Sequence, residues 1–339
     1  MAKQADRTLT PAVEPADKVM RWSLAQKLLR GLDYVFILRP TLFFPVWVVY
    51  AAGFIVAQWQ TQGGWRWTVW GESDFWLPGM ALTLLMGSAF ILNQIIDIPI
   101  DRQNRKLFLL ADGHVPLHLA YFETGMLFFL AVWLAFRMDV GMGTLFLAIY
   151  FVTGIGYSVP PFSWKDRPVA GLLANMMGAL LIFIAGYWAA GGVHIQAAVF
   201  ALPYMAAVGA VFLLTTLPDK PGDGQFGKET FAVRFGDMPT IYFGAVLEIL
   251  ALVGAWLLRD PVIFFPALIS APFFIYAAWQ PKAANVVRAI KFPIVLLTFA
   301  VCFYFPILLL LFGGTYAASK WYYWQRFGLH YPSLKVDEP

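Results

Sequence analysis

Asn93, Asp97, Asp101, Arg102 and Asn104 place two carboxylates, two carboxamides and a guanidinium at the end of an apolar run long enough to cross a bilayer. On an α-helix each residue turns about 100°, so Asn93, Asp97 and Asp101 step round by about 40° each, and Asn104 returns among them. All four can project into one cavity, with Pro99 expected to bend the arc around its cargo. A charged side chain at membrane depth is costly unless something pairs with it, so an acidic cluster there points to a functional site. Short, hard oxygen donors of this kind suit Mg²⁺, which takes one or two carboxylates and completes its shell with water and phosphate oxygens.

A second acidic pair, Asp219 and Asp223, closes another apolar run and is followed by Lys228. Gly222, Gly224 and Gly227 match a dinucleotide-binding glycine pattern, and 222–228 nearly matches a phosphate-binding loop. Both motifs require a preceding strand, and here a membrane span precedes them, so nucleotide binding by these glycines is excluded. The glycines are instead expected to form a tight turn that presents Asp219, Asp223 and Lys228 together. The third constellation is Tyr157-Ser-Val-Pro-Pro161 with Lys165 and Arg167. Lys165 and Arg167 can bind phosphate oxygens, and Tyr157 can donate a hydrogen bond or offer a ring face to a cation.

These groups need a membrane scaffold, and the composition supplies one. The chain of 339 residues is 60% hydrophobic and 13% charged, against about 25% charged in ordinary soluble domains. Nine apolar windows have spanning length: 41–59, 75–96, 117–136, 141–157, 169–190, 195–217, 240–258, 262–279 and 292–312. Lipid offers no partner for unpaired backbone groups, so the spans are expected to be helical. With the N-terminus in the cytoplasm, 18 Lys and Arg fall on the cytoplasmic side and 6 on the other, from a total of 24. That bias orients the bundle with both acidic clusters in the cytoplasm and the C-terminus on the opposite side. Residues 18–32 read as an interfacial amphipathic helix, and the N-terminal residues lack the apolar core of a cleaved leader. The domain plan is a cytoplasmic segment over 1–37, a transmembrane domain over 38–312 and a C-terminal tail over 313–339. A net charge of +4 with no basic stripe excludes nucleic acid as a partner.

The three motifs together resemble the UbiA superfamily of intramembrane prenyltransferases: Asn-x-x-x-Asp-x-x-x-Asp-Arg-x-Asn at 93–104, Tyr-Ser-x-Pro-Pro…Lys at 157–165, and Pro-Asp-x-x-Gly-Asp-x-x-x-Gly-Lys-x-Thr at 218–230. The resemblance implies an all-α integral membrane protein, about nine helices in a UbiA-type bundle with a lipid-facing prenyl cavity. It implies an enzyme that uses Mg²⁺ to transfer an isoprenoid chain from an allylic prenyl diphosphate to an aromatic or other lipophilic acceptor, as in quinone, tocopherol, chlorophyll or lipid biosynthesis. The catalytic set would be Asp97, Asp101, Asp219, Asp223 and Tyr157, the four aspartates holding Mg²⁺, with Asn93, Arg102, Lys165 and Lys228 on the diphosphate. The membrane would be a bacterial inner membrane or its equivalent. The chain departs from the family pattern at 107–113, which reads LFLLADG, and at Ser163-Trp164, so two common basic positions are absent and the acceptor stays open.

Two rivals use similar acids. A transporter would place them near mid-membrane on broken helices, and a lipid-linked phosphotransferase would gather them into one dense cluster. Among the isolated residues, Glu248 in span seven is read as a neutral or paired buried acid, with a place in the acceptor pocket as the alternative. His114 and His118 lack a third zinc ligand. Arg39 is able to reach either the diphosphate or the lipid headgroups, and Cys302 is a small buried hydrophobe.

Overall fold

The computed structural model describes residues 24–63, 73–104, 108–192 and 194–332, and every regular element among them is helical. In chain order these are α1 (Leu24–Gly31), α2 (Asp33–Phe36), α3 (Phe43–Gln62), α4 (Ser73–Asn104), α5 (Phe108–Ala111), α6 (Leu117–Met138), α7 (Val140–Tyr150), α8 (Pro168–Gly191), α9 (Ile195–Gln225), α10 (Phe231–Phe235), α11 (Asp237–Leu258), α12 (Pro261–Trp279), α13 (Ala283–Tyr304) and α14 (Leu308–Phe327). Eight described segments are long and apolar enough to cross a membrane, and the shorter apolar stretch Val140–Gly156 brings the bundle to nine. Only residues 24–32 of the expected 18–32 amphipathic helix fall within the described residues, and Lys3, Arg7, Lys18, Arg21, Arg66, Arg105, Lys106 and Lys335 of the charge count lie outside them.

Small residues let the central helices meet backbone to backbone. A Cβ at Gly53 on α3 would overlap the Phe183 carbonyl of α8, and one at Gly186 on α8 would overlap the Tyr50 carbonyl of α3. Lipid gives helices no hydrophobic reason to associate, so this close approach is how the pair gains packing energy. Aromatic rings fill the rest of the seam: Phe183 lies 4.8 Å from Tyr204, and Phe54 lies 5.1 Å from Phe75.

Two helices overshoot the membrane. α4 has 32 residues and α9 has 31, about 46–48 Å of rise against a hydrocarbon core of about 30 Å. Asp97 stands 24 residues beyond Ser73, and Asp219 stands 24 beyond Ile195. Both acidic clusters therefore ride on helical extensions at matching height. This corrects the turn expected of Gly222, Gly224 and Gly227. Gly222 and Gly224 are helical, and the chain turns only at Gly227, whose φ of 69° lies in the left-handed region open to glycine. Pro99, Pro218 and Pro221 all sit inside helices. At the headgroup level the carbonyls that a proline leaves unpaired have other donors available, so the cost is tolerable.

The C-terminus departs from the expected plan. The ninth window, 292–312, straddles a break: α13 ends at Tyr304, Phe305 leaves the helical region with φ −129° and ψ 75°, and α14 begins at Leu308. Pro306 follows directly, and its ring disfavours the α conformation in the residue before it. α14 then runs back along the bundle, where a C-terminal tail on the far side was expected. Phe312 packs 5.0 Å from Phe44, and Tyr322 stacks on Phe36 with ring centroids 3.8 Å apart. Arg326 clasps Asp33 through its Nε at 3.2 Å and its terminal nitrogen at 3.1 Å, while the Tyr322 hydroxyl donates to the same carboxylate at 2.6 Å. The end of α14 therefore lies at the same end of the bundle as Asp33 and both acidic clusters.

Candidate active site

The third motif enters the site through local chain geometry. α7 widens into a π-helical stretch over Phe151–Gly156, and Tyr157 and Ser158 follow at once. Single π turns inside α-helices recur at functional sites because the inserted residue re-aims what comes next. A Cβ at Gly156 would run into the Trp164 indole, so the turn carrying Lys165 packs directly on this helix. Tyr157 hydrogen-bonds to the Asn175 side chain, and Asn93 donates to the Ser158 hydroxyl at 3.1 Å.

Charges converge on Asp97. Lys165 Nζ donates to its Oδ2 at 2.6 Å, and Lys228 Nζ lies 3.8 Å from its Oδ1 and 3.5 Å from Asp166. The backbone seals this arrangement, since the Lys228 N–H donates to the Asp223 carbonyl at 3.0 Å and the Glu229 N–H to the Asp166 carbonyl at 3.0 Å. Burial alone would lower the Lys228 pKa, but Asp97, Asp166 and Asp223 outweigh it and hold the ammonium above its ordinary value. Lys165 and Asp97 are only 8% and 13% exposed, so water screens their attraction weakly.

A cavity of about 200 Å³ lies between these groups, bordered by Asn93, Asp97, Tyr157, Lys165, Asp219, Asp223 and Lys228. Seven of the residues expected from sequence thus meet at one place. Asp101 borders a larger adjoining cavity of about 630 Å³ together with Asp97, Asp219 and Asp223. Arg102 is not brought there; its Nε donates to the Ala111 carbonyl at 3.0 Å, and it caps the end of α5. Five participants were missed in the sequence, Thr230 among them. Thr215 and Thr216 line the cavity one turn before Asp219, a spacing of four and three residues that was available to be read. Asp166 anchors Lys228, and Ser158 holds Asn93.

Two apolar lobes of about 360 and 330 Å³ open from this end into the bundle and share Leu42, Pro45, Val49, Asn175 and Val208. The first also borders Asn93 and Tyr157, which joins it to the charged cavity. Glu248 lies on the second lobe, buried and hydrogen-bonded to Ser270. His114 does not join a metal cluster; its ring packs on Phe327 and lies 3.5 Å from the Arg326 guanidinium.

The donor set fits a divalent cation carried with phosphate. Four carboxylates from two opposed helices border the cavities, and the Thr230 hydroxyl, 7% exposed, faces the smaller one with no partner of its own. Among the described residues no three acids close into a complete metal cage. Mg²⁺ takes one or two carboxylates and draws the rest of its shell from water and substrate phosphates.

A bundle of spanning helices with paired acidic extensions over an apolar interior defines a class of integral membrane protein. The family to which the chain belongs is the UbiA prenyltransferase family, whose model matches residues 45–292. Homogentisate solanesyltransferase of Arabidopsis thaliana is 28% identical over 232 residues, covering 60% of this chain and 58% of that protein. The 2-acylphloroglucinol 4-prenyltransferase of Humulus lupulus is 27% identical over 187 residues, covering 52% of this chain and 45% of that protein. The chain thus spans about half the length of such relatives. A UbiA homologue from Archaeoglobus fulgidus bound to GPP and Mg²⁺ shares the fold, with TM-score 0.63, 19% identity, and coverage of 79% of this chain and 99% of that one.

Proposed function

We propose that this chain transfers an isoprenoid group from an allylic prenyl diphosphate to an electron-rich aromatic acceptor. The observation that carries the reading is the pair of acidic helix extensions facing one cavity, with Lys165 and Lys228 between them and apolar lobes behind. A molecule with a polyanionic head and a long apolar tail suits that division. The relatives' names point the same way, toward homogentisate, phloroglucinol and coumarin as ring acceptors.

Asp97 and Asp101 on α4 and Asp219 and Asp223 on α9 would hold Mg²⁺, which supplies charge neutralisation on the leaving diphosphate. Lys165 and Lys228, now paired with Asp97, would turn to phosphate oxygens when the head group enters. Asn93, fixed by Ser158, and the unpartnered Thr230 hydroxyl add neutral hydrogen bonds. The allylic C–O bond then breaks and its electron pair leaves with the diphosphate. The Tyr157 ring, which borders both the charged cavity and the apolar lobe, faces the carbocation so formed. A ring carbon of the acceptor attacks C1 of the prenyl group, a C–C bond forms, and the ring loses a proton to restore aromaticity. The apolar interior keeps water from the cation.

The excess of Lys and Arg at the acid-bearing end orients that end to the cytoplasm. With α14 returning there, Arg326 joins the basic side, and both termini are cytoplasmic in this reading. The test is incubation of purified protein with Mg²⁺, labelled geranylgeranyl diphosphate and a panel of homogentisate, 4-hydroxybenzoate, a 2-acylphloroglucinol and dihydroxynaphthoate. A prenylated ring product supports the reading. Diphosphate binding with no product on any ring acceptor counts against it.

A further inference from the structure

The larger cavity has two chemically different walls. One is the acidic and cationic wall of α4 and α9. The other comes from the C-terminal arm, α14 and the residues that follow it, through Ser319, Tyr323, Leu329, His330 and Tyr331. This arm lies beyond the 45–292 stretch that the family model matches. Its contribution to the cavity contains neither a carboxylate nor a lysine. It offers ring faces, hydroxyls and an imidazole instead.

The arm is held firmly in place. Asp33, 1% exposed, receives both Arg326 and the Tyr322 hydroxyl. Tyr322, Phe36, Ile91, Ile95 and Leu110 form a small apolar core beneath the arm. At Gly328, with φ 68°, the chain reverses. That reversal stacks His330 on Trp324 at 4.3 Å and sets Tyr331 edge-on to Tyr323 at 5.0 Å. The Tyr331 and Thr41 hydroxyls are 3.2 Å apart and tie the strap to the start of α3. On the cavity side, Ser319 is fully buried and its hydroxyl has no partner. A buried hydroxyl left unpaired is costly, and a ligand oxygen would recover that cost.

We infer that the C-terminal arm is the acceptor-recognition wall of this enzyme: a hydroxylated aromatic ring lies against Tyr323 and presents an oxygen to Ser319, across the cavity from the diphosphate. The chemistry of the two walls separates the two substrates. A prenyl tail has no oxygen to offer Ser319, and a diphosphate gains more from the lysines than from tyrosine rings. A phenolic ring suits the arm, because ring stacking and a single hydroxyl contact fix both its plane and its rotation. The carbon next to a phenolic oxygen would then face the acids, where the allylic cation forms. Tyr323 and Ser319 act here as binding residues and take no part in proton transfer.

This inference rests on the prenyl-transfer reading, and one experiment separates the two. Full-length protein in detergent is given Mg²⁺ and geranyl S-thiolodiphosphate, which does not ionise readily. Binding of homogentisate and of a 2-acylphloroglucinol is then measured by equilibrium dialysis. Ser319→Ala and Tyr323→Ala are each expected to weaken acceptor binding about tenfold, with thiolodiphosphate affinity unchanged. Ser319→Ala removes one oxygen and leaves the Asp33 clasp untouched, so its result stands even if Tyr323→Ala loosens the arm. Wild-type affinity for both probes in Ser319→Ala and Tyr323→Ala overturns the inference, as does a donor-loaded wild type that takes up neither probe. Failure of the wild type to bind the thiolodiphosphate at all counts against the prenyl-transfer reading instead.

Discussion

The two walls of the large cavity are built from opposite materials and held by opposite means. The α4–α9 wall concentrates charge: Asp97 on α4 has Lys165 at 2.6 Å and Lys228 at 3.8 Å. The C-terminal wall presents aromatic rings and hydroxyls, and it is fastened to the rest of the molecule chiefly at Asp33. In the proposed reading the first wall takes the polyanionic head of the prenyl donor. The second suits a ring whose substituents vary from enzyme to enzyme. Separating them lets one face change its ligand without disturbing the other.

The largest expected effect lies on the charged wall. Lys228→Met removes a buried cation that also bridges Asp97 and Asp166. It is expected to lower prenyl transfer by about 10²–10³-fold and to weaken thiolodiphosphate binding, with both read on the purified protein. Next comes the fastening of the arm. Asp33→Asn leaves Arg326 facing a neutral amide in a buried setting, and breaking such a pair costs about 3–5 kcal/mol. Thermal melting and limited proteolysis should report a loosened C-terminal arm. Acceptor KM should rise while donor binding holds; equal loss of both would dissolve the distinction between the walls.

The walls should also part in their response to pH. Lys228 is held protonated above its ordinary value, so its contribution is present through neutral pH and is lost only as pH rises past the lysine range. His114, beside the arm, is shifted down by burial and by Arg326, so the folded chain resists a proton that the unfolded chain accepts. Stability of the arm therefore falls as pH drops below about 6.5, the ordinary histidine value. Proteolysis of the arm measured from pH 8 to pH 5 should accelerate in that window, and His114→Gln should flatten the change. The smallest effect is expected for Arg102→Ala. Its guanidinium serves the Ala111 carbonyl and not the cavity, so turnover should stay within about threefold of wild type.

Much of the charged wall was legible in the residues. The spacing of Asn93, Asp97 and Asp101 put them on one helical arc, and a helix over Ile195–Gln225 stands where a nucleotide-binding glycine motif requires a strand. The continuation of α4 and α9 through three prolines was not legible. Local propensity reads Pro218 and Pro221 as breakers, whereas packing and the headgroup environment keep the helix going. Arg102 was expected on the diphosphate, whereas its guanidinium donates to the Ala111 carbonyl and borders neither charged cavity, because no local pattern shows where α5 lies. The arm was missed for a different reason. Gly313, Gly314 and Lys320 dilute the hydropathy of α14, so a window scan fused its first turns with α13. Its contacts with Asp33 and Phe36 span nearly the whole sequence, and no local pattern announces them.

The central claim is that the two acidic extensions act together on one diphosphate. The most direct measurement is Mg²⁺-dependent diphosphate release from labelled geranylgeranyl diphosphate in the presence of acceptor, compared among wild type, Asp97→Asn, Asp219→Asn and the double variant. Each single substitution is expected to reduce release by at least about 10²-fold, and the double should lose little more than either alone, as for groups that act as a unit. Release that survives either substitution, or losses in the double variant that multiply as for independent sites, would contradict the account.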